Sequence, residues 1–142
     1  MGEGVRHFTD LRVWRMAHRL FLDLCGDLGE GGGSLPGSVI AEQLLRSVGS
    51  VGANIAEGSN RTQRKFANSL DIALGEANET QNWLYKPRDA EVLPEEAASP
   101  HIRTVLDIEK MLASLRTRIL ENPDAAREPE PDYAVPDEDR PQ

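Results

Sequence analysis

The sequence predicts an all-α protein, an up-down-up-down antiparallel four-helix bundle with a disordered acidic C-terminal tail. Three observations carry that expectation. Four segments repeat apolar residues at spacings of three and four, and none sustains the alternation of a strand. The breaks between them are mostly short and hold Gly, Pro, Asn and Ser, which joins consecutive helices as antiparallel neighbours. From Glu121 onward five of the nine prolines gather and large apolar residues nearly vanish, so the segment cannot offset its ordering entropy by burial. Residues 1–120 are thus expected to form the bundle and residues 121–142 a disordered acidic, proline-rich tail.

The first helix is expected from about Asp10 to Leu28. Leu11, Trp14, Ala17, Phe21, Leu24 and Leu28 make one stripe, and Thr9 or Asp10 can cap its start. GEGGGSLPG, from Gly29, reads as a loop. The second helix is expected from Ser38 to Gly58, with Ile40, Leu44, Val48, Val51 and Ile55 on its apolar face and Gly58 as a left-handed C-cap. The third can open on a capping box of Asn60 and Gln63, continue through Phe66, Leu70, Ala73, Ala77 and Leu84 with Leu74 widening the face, and end at Lys86 before Pro87. The fourth is clearest from Ile102 to Leu120; its start falls either at Ser99-Pro100 or at Pro94-Glu95-Glu96.

Charge narrows the function classes less than the formal net of −8 suggests. Eight acidic and two basic residues come after residue 120, leaving 16 acidic against 14 basic residues before it. The low pI therefore describes the tail, and local clustering decides whether the body meets an anion. The single cysteine, Cys25, excludes an internal disulfide and a multi-cysteine zinc site, and reads as buried packing. MGEGVRHFTD carries no apolar run of the signal-peptide kind, and no stretch reaches the about 18 apolar residues of a membrane span, so a cytoplasmic protein without a membrane partner is expected.

The most informative stretch is SVGANIAEGSNRTQRKF, from Ser50 to Phe66. Gly49 and Gly52 each cost a helix interior about 1 kcal/mol relative to alanine, which points to close approach of another backbone, as in a crowded helix crossing, or of a ligand along a stripe shared with Ala53 and Ala56. Arg46, Ser50, Asn54 and Glu57 succeed one another at four, four and three residues, so they share a helix face. This line suits a solvated face or a polar subunit contact, and Glu42 stands in position to pair with Arg46. Beyond the expected cap, Arg61, Arg64 and Lys65 bring three cations to a helix start. Free amides and positive charge there favour the same phosphate ligand. An exposed basic turn paired with acidic residues, those of the tail among them, is the plainer reading of the same cluster.

The pattern Phe8-Thr-Asp-Leu11-Arg-Val13-Trp14-Arg-Met-Ala17, the run from Arg46 through Asn54-Ile-Ala-Glu-Gly58, the residues Phe66, Leu70, Ala73, Gly75 and Glu79, and the ending Ile108-Glu-Lys-Met-Leu112 occur in order. In these, residues 8–120 resemble the bacterial four-helix-bundle proteins called 23S rRNA intervening sequence proteins. The resemblance implies a ring-shaped homopentamer and an association with nucleic acid. It also implies, through a related branch, service as an accessory subunit of a retroelement reverse transcriptase. The glycine-rich first loop, Trp83-Leu-Tyr85-Lys-Pro87 and the acidic tail depart from the family pattern.

Catalytic patterns are poor. His7, His18 and His101 are scattered, and His18 reads as a core or boundary histidine. Glu76 and Glu79 lack the Glu-x-x-His partner of a di-iron bundle, and GEGGGS lacks the Gly-Lys-Ser/Thr of a phosphate loop. A protein that is not an enzyme, without cofactor or metal, is expected. It would bind structured RNA or DNA through Arg61, Arg64, Lys65 and Arg46, and meet its own copies through Arg46, Ser50, Asn54 and Glu57. The alternative is a scaffold for another protein such as a reverse transcriptase, anchored on Trp83 and Tyr85.

Overall fold

The computed structural model describes residues 7–29 and 33–122; the expected tail, apart from Glu121 and Asn122, lies outside them, as does part of the glycine-rich loop. Among the described residues there is no strand. After a 3-10 turn at Phe8–Asp10 come four helices, α1 (Arg12–Gly29), α2 (Leu35–Gly58), α3 (Gln63–Asp89) and α4 (Glu95–Glu121). Each packs on the next in sequence, and α1 also packs on α4, which closes the four into an antiparallel bundle. The long α3 and α4 run about 40 Å at 1.5 Å per residue.

The core lies along the predicted stripes and widens them. Leu24, Leu44, Ile55, Leu70, Leu84 and Leu112 are fully buried, each contributing about 1.5–3 kcal/mol of burial. Val13, Met16 and Leu20 fill a second α1 line that the spacing alone passes over, while Trp14 and Phe21 are only half-buried. At the α2–α3 seam the core holds one polar contact, Thr80 Oγ1 to Ser47 Oγ at 2.9 Å. At the other side Asp27 in α1 meets His101 Nε2 in α4 at 2.6 Å.

Several expected boundaries move, each for a local reason. His7, whose Nδ1 accepts from Thr9 N at 3.3 Å, caps a 3-10 turn that precedes α1. The second helix begins three residues before Ser38. Ser34 caps it by accepting from Gly37 N, and Pro36 costs nothing in a first turn that has no partner for its missing N–H. Gly58 is not left-handed; no described glycine has positive φ, and α2 ends on Ser59 in the right-handed region. The cap of α3 is Thr62, not Asn60. Its hydroxyl accepts from Lys65 N at 3.3 Å.

Pro87 does not stop the third helix, which continues to Asp89 with Pro87 buried and its carbonyl accepting from Val92 N at 2.8 Å and Leu93 N at 3.0 Å. Tertiary burial here outweighs the steric preference of a residue before proline. The fourth helix takes the earlier of its two expected starts, with Pro94 at the N-cap and Pro100 inside. Cys25 is exposed rather than buried, since it sits on the outer side of α1 between the buried Leu24 and Leu28. His18 is exposed as well and stacks on Trp14, with ring centroids 4.7 Å apart.

Candidate functional site

The turn from α2 into α3 is compact. Arg61 N reaches back to Gly58 O at 3.0 Å and Ser59 N to Ile55 O at 3.1 Å. Gly58 permits the close crossing: a Cβ on it would lie 2.5 Å from Ser69 Cβ and 3.1 Å from Phe66 Cδ1. With the two helices held this close, the end of α2 and the first turns of α3 form the walls of one cleft of about 470 Å³.

Asn54 and Glu57 of the expected subunit line and Arg61, Arg64 and Lys65 of the expected phosphate cluster all line that cleft. Asn68, Ser69 and Ile72 complete it. These three lie at helical spacing from Lys65, which could have found them had the side of α3 facing the cleft been known. The three cations are exposed, and none is ion-paired among the described residues. One carboxylate, Glu57, faces three positive side chains.

Arg46 stands apart, eight residues or about 12 Å up the helix from Asn54. Its guanidinium binds Glu79 through Nη2 and lies 3.6 Å from Glu76 through Nη1, while Gln43 accepts from Nε at 3.4 Å. The partner expected at Glu42 is thus supplied by α3. Between Arg46 and the cleft, Asn54 Nδ2 donates to Ser50 O at 2.8 Å, so the middle of the line is bound internally.

The hydrogen bond from Arg46 holds the Glu79 carboxyl below the usual carboxylate range against opposing burial, while burial and then the neighbouring Glu79 push Glu76 up. Glu79 therefore contributes stability above its unfolded pKa that fades as pH falls through its lowered folded value. Glu76 works the other way and is relieved by acid. Changing Arg46 to Gln removes the downward influence on both groups. The variant is expected to lose stability against the parent at pH 7 and to close that gap as the carboxylates protonate. Urea unfolding at neutral and acid pH checks this; an equal deficit at both would refute it.

Trp83 and Tyr85 lie in the last two turns of α3. Both are half-buried, with Lys86 Nζ 5.3 Å from the Trp83 ring and Arg88 Cζ 5.0 Å from the Tyr85 ring. The Tyr85 hydroxyl lies 2.6 Å from the Gln81 amide. With its oxygen toward Tyr85, that amide donates to Glu109 Oε1 on α4 at 2.7 Å. Burial raises the Glu109 carboxyl. The expected small-residue stripe instead borders a second, more apolar groove of about 250 Å³ between α1 and α2, where Trp14 and Phe21 face Gly49, Gly52, Ala53 and Ala56. Among the described residues no His, Cys, Asp and Glu side chains gather in a group of three that could hold a metal, and no helix is long and apolar enough to cross a membrane.

The geometry defines a class: an all-α bundle with a cation-lined cleft at the turn from α2 into α3. Residues 9–114 match the family model of the 23S rRNA-intervening sequence protein, and the chain belongs to that family. It is also similar to the crystal structure of a protein of unknown function from the S23 ribosomal protein family of Bacteroides thetaiotaomicron. That likeness has 30% identity and a TM-score of 0.68, and covers 73% of this chain and 97% of the other. None of the curated proteins matches.

Proposed function

We propose that this chain is a non-enzymatic, homo-oligomeric cytoplasmic protein that binds structured RNA through phosphate contacts from Arg61, Arg64 and Lys65. The observation that carries the reading is their meeting, exposed and unpaired among the described residues, in one cleft with the amides of Asn54 and Asn68. Cations in such a cleft neutralise phosphates and leave base identity unread. A homopentamer, which the family resemblance implies, would repeat a modest site and raise avidity without strong single contacts. Asn54 and Glu57 would then serve the cleft, with Arg46 and Ser50 left to the subunit contact.

Fluorescence anisotropy with a labelled 23S rRNA hairpin tests it. Three phosphate contacts give a slope of log affinity on log salt of about −2.1 to −2.7, so a fourfold rise in salt should weaken binding roughly twenty- to fortyfold. Affinity unchanged by salt would overturn the reading.

A second reading, a scaffold or accessory subunit for another protein such as a reverse transcriptase, draws on the α1–α2 groove, where half-buried Trp14 and Phe21 form an apolar surface. Aromatic residues of that kind dominate interface energetics.

A further inference from the structure

The first residue of α3 fastens the last turn of α4. Gln63 Nε2 donates to Ile119 O at 2.5 Å and to Leu120 O at 3.1 Å. Asn122 N still closes on Arg118 O at 2.7 Å, and Asn122 itself is extended, so the helix ends at this point. Arg64 and Lys65 are one and two residues beyond Gln63. The end of α4 and the cation-lined cleft therefore share one end of the bundle, a juxtaposition the sequence separation of 56 residues conceals.

The segment beyond α4 has the opposite charge. Residues 123–142 hold seven acidic and two basic side chains, and Asp124, Glu128, Glu130 and Asp132 all come within ten residues of Asn122. Ten extended residues reach about 33 Å, and Arg61, Arg64 and Lys65 all stand within two residues of Gln63. The cleft itself offers three cations with no ion pair among the described residues and a single carboxylate.

We propose that residues 123–142 of this chain occupy the cleft and compete there with nucleic-acid phosphates. The competition rests on the RNA-binding reading; the docking does not. Seven carboxylates tethered beside three cations act at an effective concentration of order millimolar, which makes even a weak contact a standing competitor. The competition follows the charge of the tail: neutralising the tail frees the three cations for phosphate, and adding negative charge to it lowers phosphate affinity further.

The chain's three lysines, Lys65, Lys86 and Lys110, allow a direct test on the full-length protein. Carbodiimide coupling of carboxylates to amines, read by peptide mass spectrometry, is expected to join the tail to Lys65 well above Lys86 and Lys110. The preference should disappear in about 0.5 M salt, where the screening length falls to a few Å. Coupling to Lys65 no more frequent than to the other two would overturn the docking. In parallel, a full-length variant with the seven carboxylates changed to amides (D124N, E128Q, E130Q, D132N, D137N, E138Q and D139N) is expected to bind the rRNA hairpin about tenfold more tightly at low salt. All the buried residues described lie at or before Ile119, so this variant keeps its core. Equal affinity of parent and variant would overturn the competition. Preferred coupling to Lys65 with no RNA binding by either protein would uphold the docking and refute the RNA reading alone.

Discussion

Gly58→Ala is expected to destabilise the bundle by about 1–3 kcal/mol, the range for forcing an extra methyl into a packed core. The new Cβ would stand 2.5 Å from Ser69 Cβ and 2.7 Å from Ser69 Oγ. Ser69 Oγ can rotate away, but its Cβ moves only with the α3 backbone. Phe66, 3.1 Å off and almost wholly buried, blocks the other side. Relief therefore requires α2 and α3 to separate. Gly49→Ala and Gly52→Ala serve as controls. Their Cβ atoms would meet Phe21 at 3.6 Å and Trp14 at 3.5 Å, ordinary contact distances, so each is expected to be neutral or to gain up to about 1 kcal/mol of helix propensity. Urea unfolding of the three variants checks the ordering, and a Gly58→Ala protein as stable as the parent would sink it.

That contrast marks where the sequence was readable. Spacing at three and four residues gave four helices because each helix must bury one stripe, whereas the two interior glycines of α2, which pointed to close approach by a backbone or a ligand, meet only side chains at ordinary contact distance. Those side chains are aromatics of α1, whereas the tight crossing is at Gly58, which ends α2 as expected but without the left-handed conformation. Pro36, Pro87 and Pro100 misled for a related reason. A proline's penalty depends on whether its missing N–H had a partner and on what its ring buries, and neither is written in the local sequence. Pairs joining distant residues were out of reach altogether. Arg46 with Glu79, Gln63 with Ile119 O and His101 with Asp27 are separated by 33, 56 and 74 positions. The cations of the candidate cleft were legible as a charge cluster, yet its Asn54 and Glu57 wall depended on the turn at residues 58–62, which no periodicity specifies.

The same geometry separates two cation sets that the sequence grouped together. Changing Arg61, Arg64 and Lys65 together to Gln is expected to abolish most RNA affinity at low salt and to flatten the salt slope by about 2–3, the number of phosphate contacts removed. Folding should survive, because all three side chains are exposed and unpaired among the described residues, and the cap of α3 belongs to Thr62. Arg46→Gln is expected to leave the salt slope nearly unchanged, with any loss of affinity coming from a weaker subunit contact and lower avidity. Its guanidinium already faces two carboxylates on α3, and releasing it to a phosphate would strand Glu76 and Glu79 beside one another. Anisotropy titrations at three or more salt concentrations give both quantities at once. A flattened slope in Arg46→Gln would place the contact on the middle of α2 rather than at the turn. A triple variant that binds as the parent does would remove the cleft from the interface, and with it the reason for reading this turn as the working end of the bundle.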